Sequence, residues 1–105
     1  MPEMITAANE AAFGESVLDA ESCIVFFDAA WCGACRPVPK LLAKLVGDGE
    51  WPRLVRVDVD ALPGLSQRYG VAGLPTLILF VRGLPAAIKI GEVNEEDLQA
   101  WLETA

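Results

Sequence analysis

The sequence predicts an α/β protein of three layers, a central mixed β-sheet flanked by helices on both faces. Apolar β-rich runs alternate with segments of helical spacing, the pattern that strands joined by helical crossovers produce. Late in the chain two β-rich runs meet across an Arg-Gly pair, which calls for an antiparallel hairpin in the same sheet. The run "CIVFF" (Cys23 to Phe27) is apolar on both faces, as a strand covered from either side must be.

Taken in order, "MIT" (Met4 to Thr6) reads as a short edge strand. "NEAAFGESVLDA" follows with Phe13, Val17 and Leu18 at helical spacing. After "CIVFF" and the segment "FFDAAWCGAC", the stretch "KLLAKLV" (Lys40 to Val46) reads as a helix. Pro39 lacks the N–H that would bond back to the carbonyl of Cys35, so a kink is expected near it. "GDGEWP" reads as a loop, and "LVRVDVD" (Leu54 to Asp60) alternates as a strand. "LPGLSQRYG" is a short helical piece ended by Gly70. "TLILF" (Thr76 to Phe80) is a strand, Arg82 and Gly83 mark a hairpin turn, and "AAIKIG" returns antiparallel. Asn94 suits the N-cap of "EEDLQAWL", whose Leu98, Trp101 and Leu102 form one apolar stripe. The acids at 95–97 complement the helix dipole.

The 105 residues favour one domain spanning the chain, and 53% apolar content excludes a disordered one. No stretch approaches the roughly 18 continuous apolar residues of a membrane span, and "MPEMITAANEA" does not read as a secretory signal. Fifteen acidic against eight basic side chains, a net charge of −7, disfavour a nucleic-acid partner. The absence of histidine removes Ser–His and Cys–His nucleophile pairs and imidazole ligands.

The chemistry-bearing residues are then Cys23, Cys32 and Cys35. Structural zinc needs four ligands, which one close pair and a distant cysteine do not supply, so no metal is expected. As a structural staple, a disulfide across two residues restrains the unfolded chain little. The pair stands where a buried strand ends and a helix begins, and amides and the helix dipole there favour a thiolate. Cys32, the outer of the two, would be the nucleophile. Cys35, one turn on, would resolve the mixed disulfide, and neither step requires a cofactor beyond the Cys32–Cys35 couple. Cys23 opens the apolar strand and reads as a small core residue.

"WCGAC" (Trp31 to Cys35), "YGVAGLPTLILF" (Tyr69 to Phe80) and the late Gly91 resemble the thioredoxin family in order and spacing over nearly the whole chain. The resemblance implies the thioredoxin fold and reduction of disulfides in protein substrates. It also implies a reductase as electron donor, a cytoplasmic location and a monomer. It implies that Pro75 is a cis proline packed against the cysteines, closing the site and keeping metals off the thiols. Leu74 would offer its backbone to an extended substrate, and Trp31, Gly33, Ala34, Gly73 and Gly91 would complete the docking surface with Pro75.

Three features depart from the family. Phe26 stands where the family carries a buried acid that helps deprotonate the resolving thiol, and Asp28 stands where it carries a tryptophan. Asp28 shares the strand face of Phe26. It either takes over proton handling, raises the thiol pKa by like-charge repulsion, or is a solvated acid at a strand end. Arg56 occupies the place of a family lysine, with Asp58, Asp28 or solvent as its partner. Ala34 replaces the proline between the cysteines, which points to a less reducing couple. "RPVP" supplies Pro37 and Pro39 where the family has one proline. An oxidase or isomerase is the alternative that Ala34 and the missing acid suggest. Phe26 suggests another, a binding or chaperone subunit with a weakly active pair.

Overall fold

The computed structural model describes residues 4–47 and 52–105. Five strands, β1 (Met4–Thr6), β2 (Ser22–Asp28), β3 (Arg53–Asp58), β4 (Thr76–Val81) and β5 (Leu84–Ile90), form one sheet in the order β1-β3-β2-β4-β5. β1 and β2 run parallel to β3, whereas β2–β4 and β4–β5 are antiparallel. Four helices, α1 (Glu10–Phe13), α2 (Val38–Val46), α3 (Pro63–Arg68) and α4 (Glu95–Thr104), complete the expected element order.

The sheet is covered on both faces. On one, Phe13, Val17 and Leu65 pack with Val25, Phe27, Val55, Val57, Ile78 and Phe80. On the other, Val38 and Leu42 of α2 and Leu98 of α4 pack with Ile24, Phe26, Leu54 and Leu77, and this second cluster also holds Cys32 and Cys35. The alternation along each strand accounts for the division, since neighbouring residues point to opposite faces. Complete burial of Leu42 and of Leu98 contributes about 1.5–3 kcal/mol each.

Local signals explain most boundaries. Asn9 caps α1 by accepting from Ala12 N–H at 2.8 Å, and Asn94 caps α4 through Asp97 N–H at 2.8 Å. The hairpin turn has positive φ at both central residues, 51° at Arg82 and 83° at Gly83, as a two-residue turn matching the strand twist requires.

Several boundaries differ from the sequence reading. The first helix runs on from α1 as a π-helical segment, Gly14–Leu18, because Asp19 N–H bonds five residues back to Gly14 at 3.2 Å. The wide turn keeps both Phe13 and Val17 fully buried. Pro39 kinks nothing: α2 starts at Val38, with Pro37 at its N-cap and Pro39 in the first turn, where a missing N–H goes unnoticed. β3 ends at Asp58 rather than Asp60, because the Asp58 carboxylate accepts from the N–H groups of Asp60 (2.8 Å) and Ala61 (3.4 Å) and folds the chain into a turn. α3 stops at Arg68, and Gly70, with φ of 67°, carries the chain away from it. The central part of the "GDGEWP" loop, with Trp51, lies outside the described residues.

A Cβ added to Gly83 would stand 2.9 Å from the carbonyl oxygen of Leu18, in a backbone conformation that L residues avoid. Gly83→Ala is therefore expected to cost about 2 kcal/mol or more of unfolding free energy in urea titrations. Gly14, helical at φ −56° with open space around its Cα, gives the opposite sign. Gly14→Ala is expected to gain about 0.4–1 kcal/mol.

Candidate active site

β2 ends at Asp28, and the next four residues carry the chain over the carboxyl end of the sheet to Cys32. The turn is closed by Cys32 N–H donating to Ala29 carbonyl at 3.1 Å. Cys32 is extended (φ −85°, ψ 102°), and a short 3-10 turn, Gly33–Cys35, brings Cys35 back over it. Cys32 and Cys35 are joined in a disulfide with Cα atoms 5.4 Å apart. Cys32 is 6% and Cys35 3% exposed, so the outer position expected for Cys32 holds only by a small margin. The helix start at the pair is also weaker than expected. The first complete α-helical turn begins at Val38, nearer to Cys35 than to Cys32, because Pro37 and Pro39 fix that point as the start of α2.

Asp28 is not a solvated acid: it is 3% exposed. Its Oδ2 accepts a charge-assisted hydrogen bond from Arg56 Nη2. This answers which partner Arg56 takes. The register places Arg56 opposite Phe26, and the guanidinium carbon lies 6.0 Å from the centre of the Phe26 ring. Arg56 therefore lies across the aromatic ring and reaches two residues along β2 to the carboxylate. That hydrogen bond, and secondarily the charges of Asp28 and Asp58, hold Arg56 still further into its charged form against partial desolvation. Asp28, Arg56, Cys32, Cys35, Arg36 and Pro39 line one polar cavity of about 300 Å³. A carboxylate with its counter-ion thus shares one cavity with both sulfurs.

On the outer side Trp31 is 70% exposed, and its indole N–H donates to Asp60 Oδ2 at 2.9 Å. The sequence alternation includes Asp60 in a strand. The turn that ends β3 at Asp58 is what frees it to reach Trp31. The Leu74–Pro75 peptide is cis. Leu74 packs against both core clusters, including the one with the cysteines. Thr76 Oγ1 donates to Gly73 carbonyl at 2.6 Å, and Gly91 N–H donates to Pro75 carbonyl at 2.9 Å, which ties this segment to the start of β4 and the end of β5. Gly91 has φ of 94°. The structure thus gathers residues 28–35, 73–76 and 91 at one end of the sheet. Arg36, Pro39, Asp60 and Ser66 border the site although the sequence reading does not single them out as site residues; Arg36 and Pro39 follow Cys35 within one turn, whereas Asp60 and Ser66 reach it through tertiary contacts.

Cys23 is fully buried in the opposite cluster, at the amino end of β2. Burial pushes its thiol up from 9.0 to about 12, with Arg53 opposing in part. Among the described residues, no group of three or more His, Cys, Asp or Glu could hold a metal ion, and no helix is long and apolar enough to cross a membrane.

Two losses are expected here. Arg56→Ala strips the counter-ion from a buried carboxylate and should lower unfolding stability by about 1–3 kcal/mol. Solvent at the half-exposed Arg56 position keeps the loss below that of a fully buried pair. Adding Asp28→Asn should recover part of it. For Cys23, a folded-state pKa above the unfolded one means that the folded protein holds its proton longer. Its contribution is intact below pH 9 and drains away towards pH 12. Urea titrations across that range should show a flatter alkaline decline for Cys23→Ala than for the parent protein.

The family profile described as Thioredoxin matches residues 4–104. The chain is 38% identical over 101 residues to a thioredoxin of Rhodospirillum rubrum, covering 92% of this chain and 95% of that one. It is 31% identical over 105 residues to a thioredoxin of Pseudomonas aeruginosa, covering 98% and 97%. A solved mutant thioredoxin of Halobacterium salinarum superposes with a TM-score of 0.84 at 26% identity, covering 97% of this chain and 89% of that one.

Proposed function

The chain belongs to the thioredoxin family, and on that premise we propose that Cys32 is its attacking thiol and Cys35 its resolving thiol. The activity is that of the family: a dithiol–disulfide oxidoreductase that works through a redox-active disulfide and needs no cofactor. The Cys32–Cys35 disulfide at the carboxyl end of β2, bordered by Leu74–Pro75 and Trp31, is the observation that supports the assignment.

In the reducing direction, Cys32 thiolate attacks one sulfur of a substrate disulfide and expels the other as a thiolate. Cys35 then loses its proton and attacks Cys32 Sγ. The mixed disulfide breaks, the second substrate thiolate leaves, and Cys32–Cys35 forms. The substrate gains two electrons and two protons, which the dithiol loses. Asp28, facing the same cavity as Cys35 and held by Arg56, accepts the Cys35 proton in the second step. It fills the role that Phe26, without a titratable group, cannot. Trp31, Gly33, Ala34, Gly73, Leu74, Pro75 and Gly91 form the surface on which an extended substrate segment lies. Residues 1–105 act as one domain and as a monomer in the cytoplasm. Disulfide-containing proteins are the substrates, and a thioredoxin reductase or equivalent donor restores the dithiol.

Cys35→Ser is expected to accumulate a mixed disulfide between Cys32 and a protein substrate, visible by non-reducing mass spectrometry. Cys32→Ser is expected to trap none, and trapping through Cys35 would reverse the assignment. Asp28→Asn should slow release of the second substrate thiol by on the order of tenfold or more while leaving the first attack unaffected. An unchanged release rate would reduce Asp28 to a structural partner of Arg56. The reduction potential, measured in dithiol buffers, separates direction: near or below about −250 mV for a reductant, near about −180 mV or higher for an oxidase or isomerase.

A further inference from the structure

β5 closes one edge of the sheet, and among the described residues nothing pairs with its outer side. An open edge is a template for a further strand, and edges are ordinarily blunted by prolines, bulges or charges. In β5 the proline and the bulge occupy the first half only. Pro85 stands opposite Phe80, and the register skips Ala86 between the Phe80–Pro85 and Leu79–Ala87 pairs. From Ala87 to Ile90 the ladder is regular. Gly91 N–H donates to Pro75 carbonyl, so in antiparallel alternation Lys89 likewise turns its backbone groups towards β4. The N–H and C=O groups of Ile88 and Ile90 therefore face outward. Their side chains are 49% and 61% exposed and stand on the sheet face of Ile78. A cavity of about 250 Å³ opens there between Tyr69, Ile78, Pro85 and Ile88. Lys89 stands on the opposite face as the only charged residue of β5. It makes no ion pair or side-chain hydrogen bond among the described residues.

We infer that the Ala87–Ile90 edge docks an extended segment of another protein, which adds a sixth strand and carries apolar side chains on one face and acidic ones on the other. The outward groups of Ile88 and Ile90 supply its backbone hydrogen bonds. Its apolar face lies over the two isoleucines, with one side chain in the Tyr69 cavity, and an acid across from Lys89 supplies the missing ion pair. A second copy of this chain does not fit. Pairing Ile88 with Ile90 of the copy satisfies the outward groups of both strands, but that register sets two Lys89 side chains directly opposite each other. Elsewhere a chain of net charge −7 repels an acidic segment, so Lys89 also fixes where it lands. The edge ends at Ile90, whose Cγ2 would lie 3.7 Å from a Cβ on Gly73. The added strand thus stops beside the ground that meets Cys32 and leaves that ground free.

The test uses the oxidised protein and a cysteine-free peptide of seven residues alternating valine and glutamate, with a valine–lysine counterpart. Amide exchange is followed by NMR. At saturation the glutamate peptide is expected to slow exchange at Ile88 and Ile90 by on the order of tenfold or more, and to leave Lys89, already bonded to β4, unchanged. It should bind about fivefold more tightly than the lysine peptide, and Lys89→Glu should reverse that preference. Ile88→Pro removes one outward N–H while sparing the β4 ladder, and should abolish the protection at Ile90. Should that variant fail to fold, the Lys89→Glu reversal carries the test alone. Exchange at Ile88 and Ile90 that stays unchanged, slowing confined to Leu74 and Gly91, or a preference indifferent to Lys89→Glu would overturn the docking edge. No disulfide takes part, so the result is independent of the oxidoreductase reading.

Discussion

The hydrogen-bonded ladder of β2 with β3 on one edge and β4 on the other governs where everything else stands. Residues Cys23–Asp28 are buried, and the strand is paired in parallel to Arg53–Asp58 and antiparallel to Thr76–Val81. A strand held on both edges and both faces has no room to slip, since a one-residue shift would turn every apolar side chain to the wrong face. The height of its carboxyl end is therefore set by the whole core. The disulfide begins four residues beyond that end, after a turn closed by one backbone hydrogen bond.

The same ladder delivers the rest of the site. Thr76 pairs with Phe27, so the Leu74–Pro75 segment arrives beside the chain that follows Asp28. Thr76 also pairs with Ile90, which brings Gly91 close enough to donate to Pro75. Three segments far apart in sequence thus converge without any dedicated scaffold. Binding and catalytic residues placed on loops need a rigid support of this kind, because the loops themselves carry little packing.

Asp28 changes the electrostatics of that end of the sheet. A buried carboxylate is costly unless it is paired and hydrogen-bonded. Arg56 meets the requirement only because β2 and β3 run in parallel register, with Arg56 across from Phe26 and long enough to reach Asp28. Phe26 contributes a ring for the guanidinium to lie near, and the half-exposed arginine keeps the cavity open to water on its outer side. A carboxylate alone beside the sulfurs would oppose thiolate formation, and the adjacent guanidinium offsets it. The pair thus brings a carboxylate into the cavity that holds both sulfurs at little net charge.

Much of this was legible in the sequence where the physics is local. The caps at Asn94 and the Arg82-Gly83 turn, the both-faced apolar run of β2 and the Trp31–Cys35 motif each act over a few residues. Their signatures lie side by side in the chain. Even there, Pro39 was misread as a kink, because whether a proline breaks a helix or starts one depends on where the preceding turn ends. The partner of Arg56, the bond from Trp31 to Asp60 and the burial of Asp28 depend on strand register and on packing between segments tens of residues apart. No local propensity encodes those distances. The sequence by itself determined the strand and helix order, the α/β class and the redox pair. Only the tertiary structure decided which charge faces the sulfurs and which pocket opens beside them, because both follow from how the strands align once the core is packed.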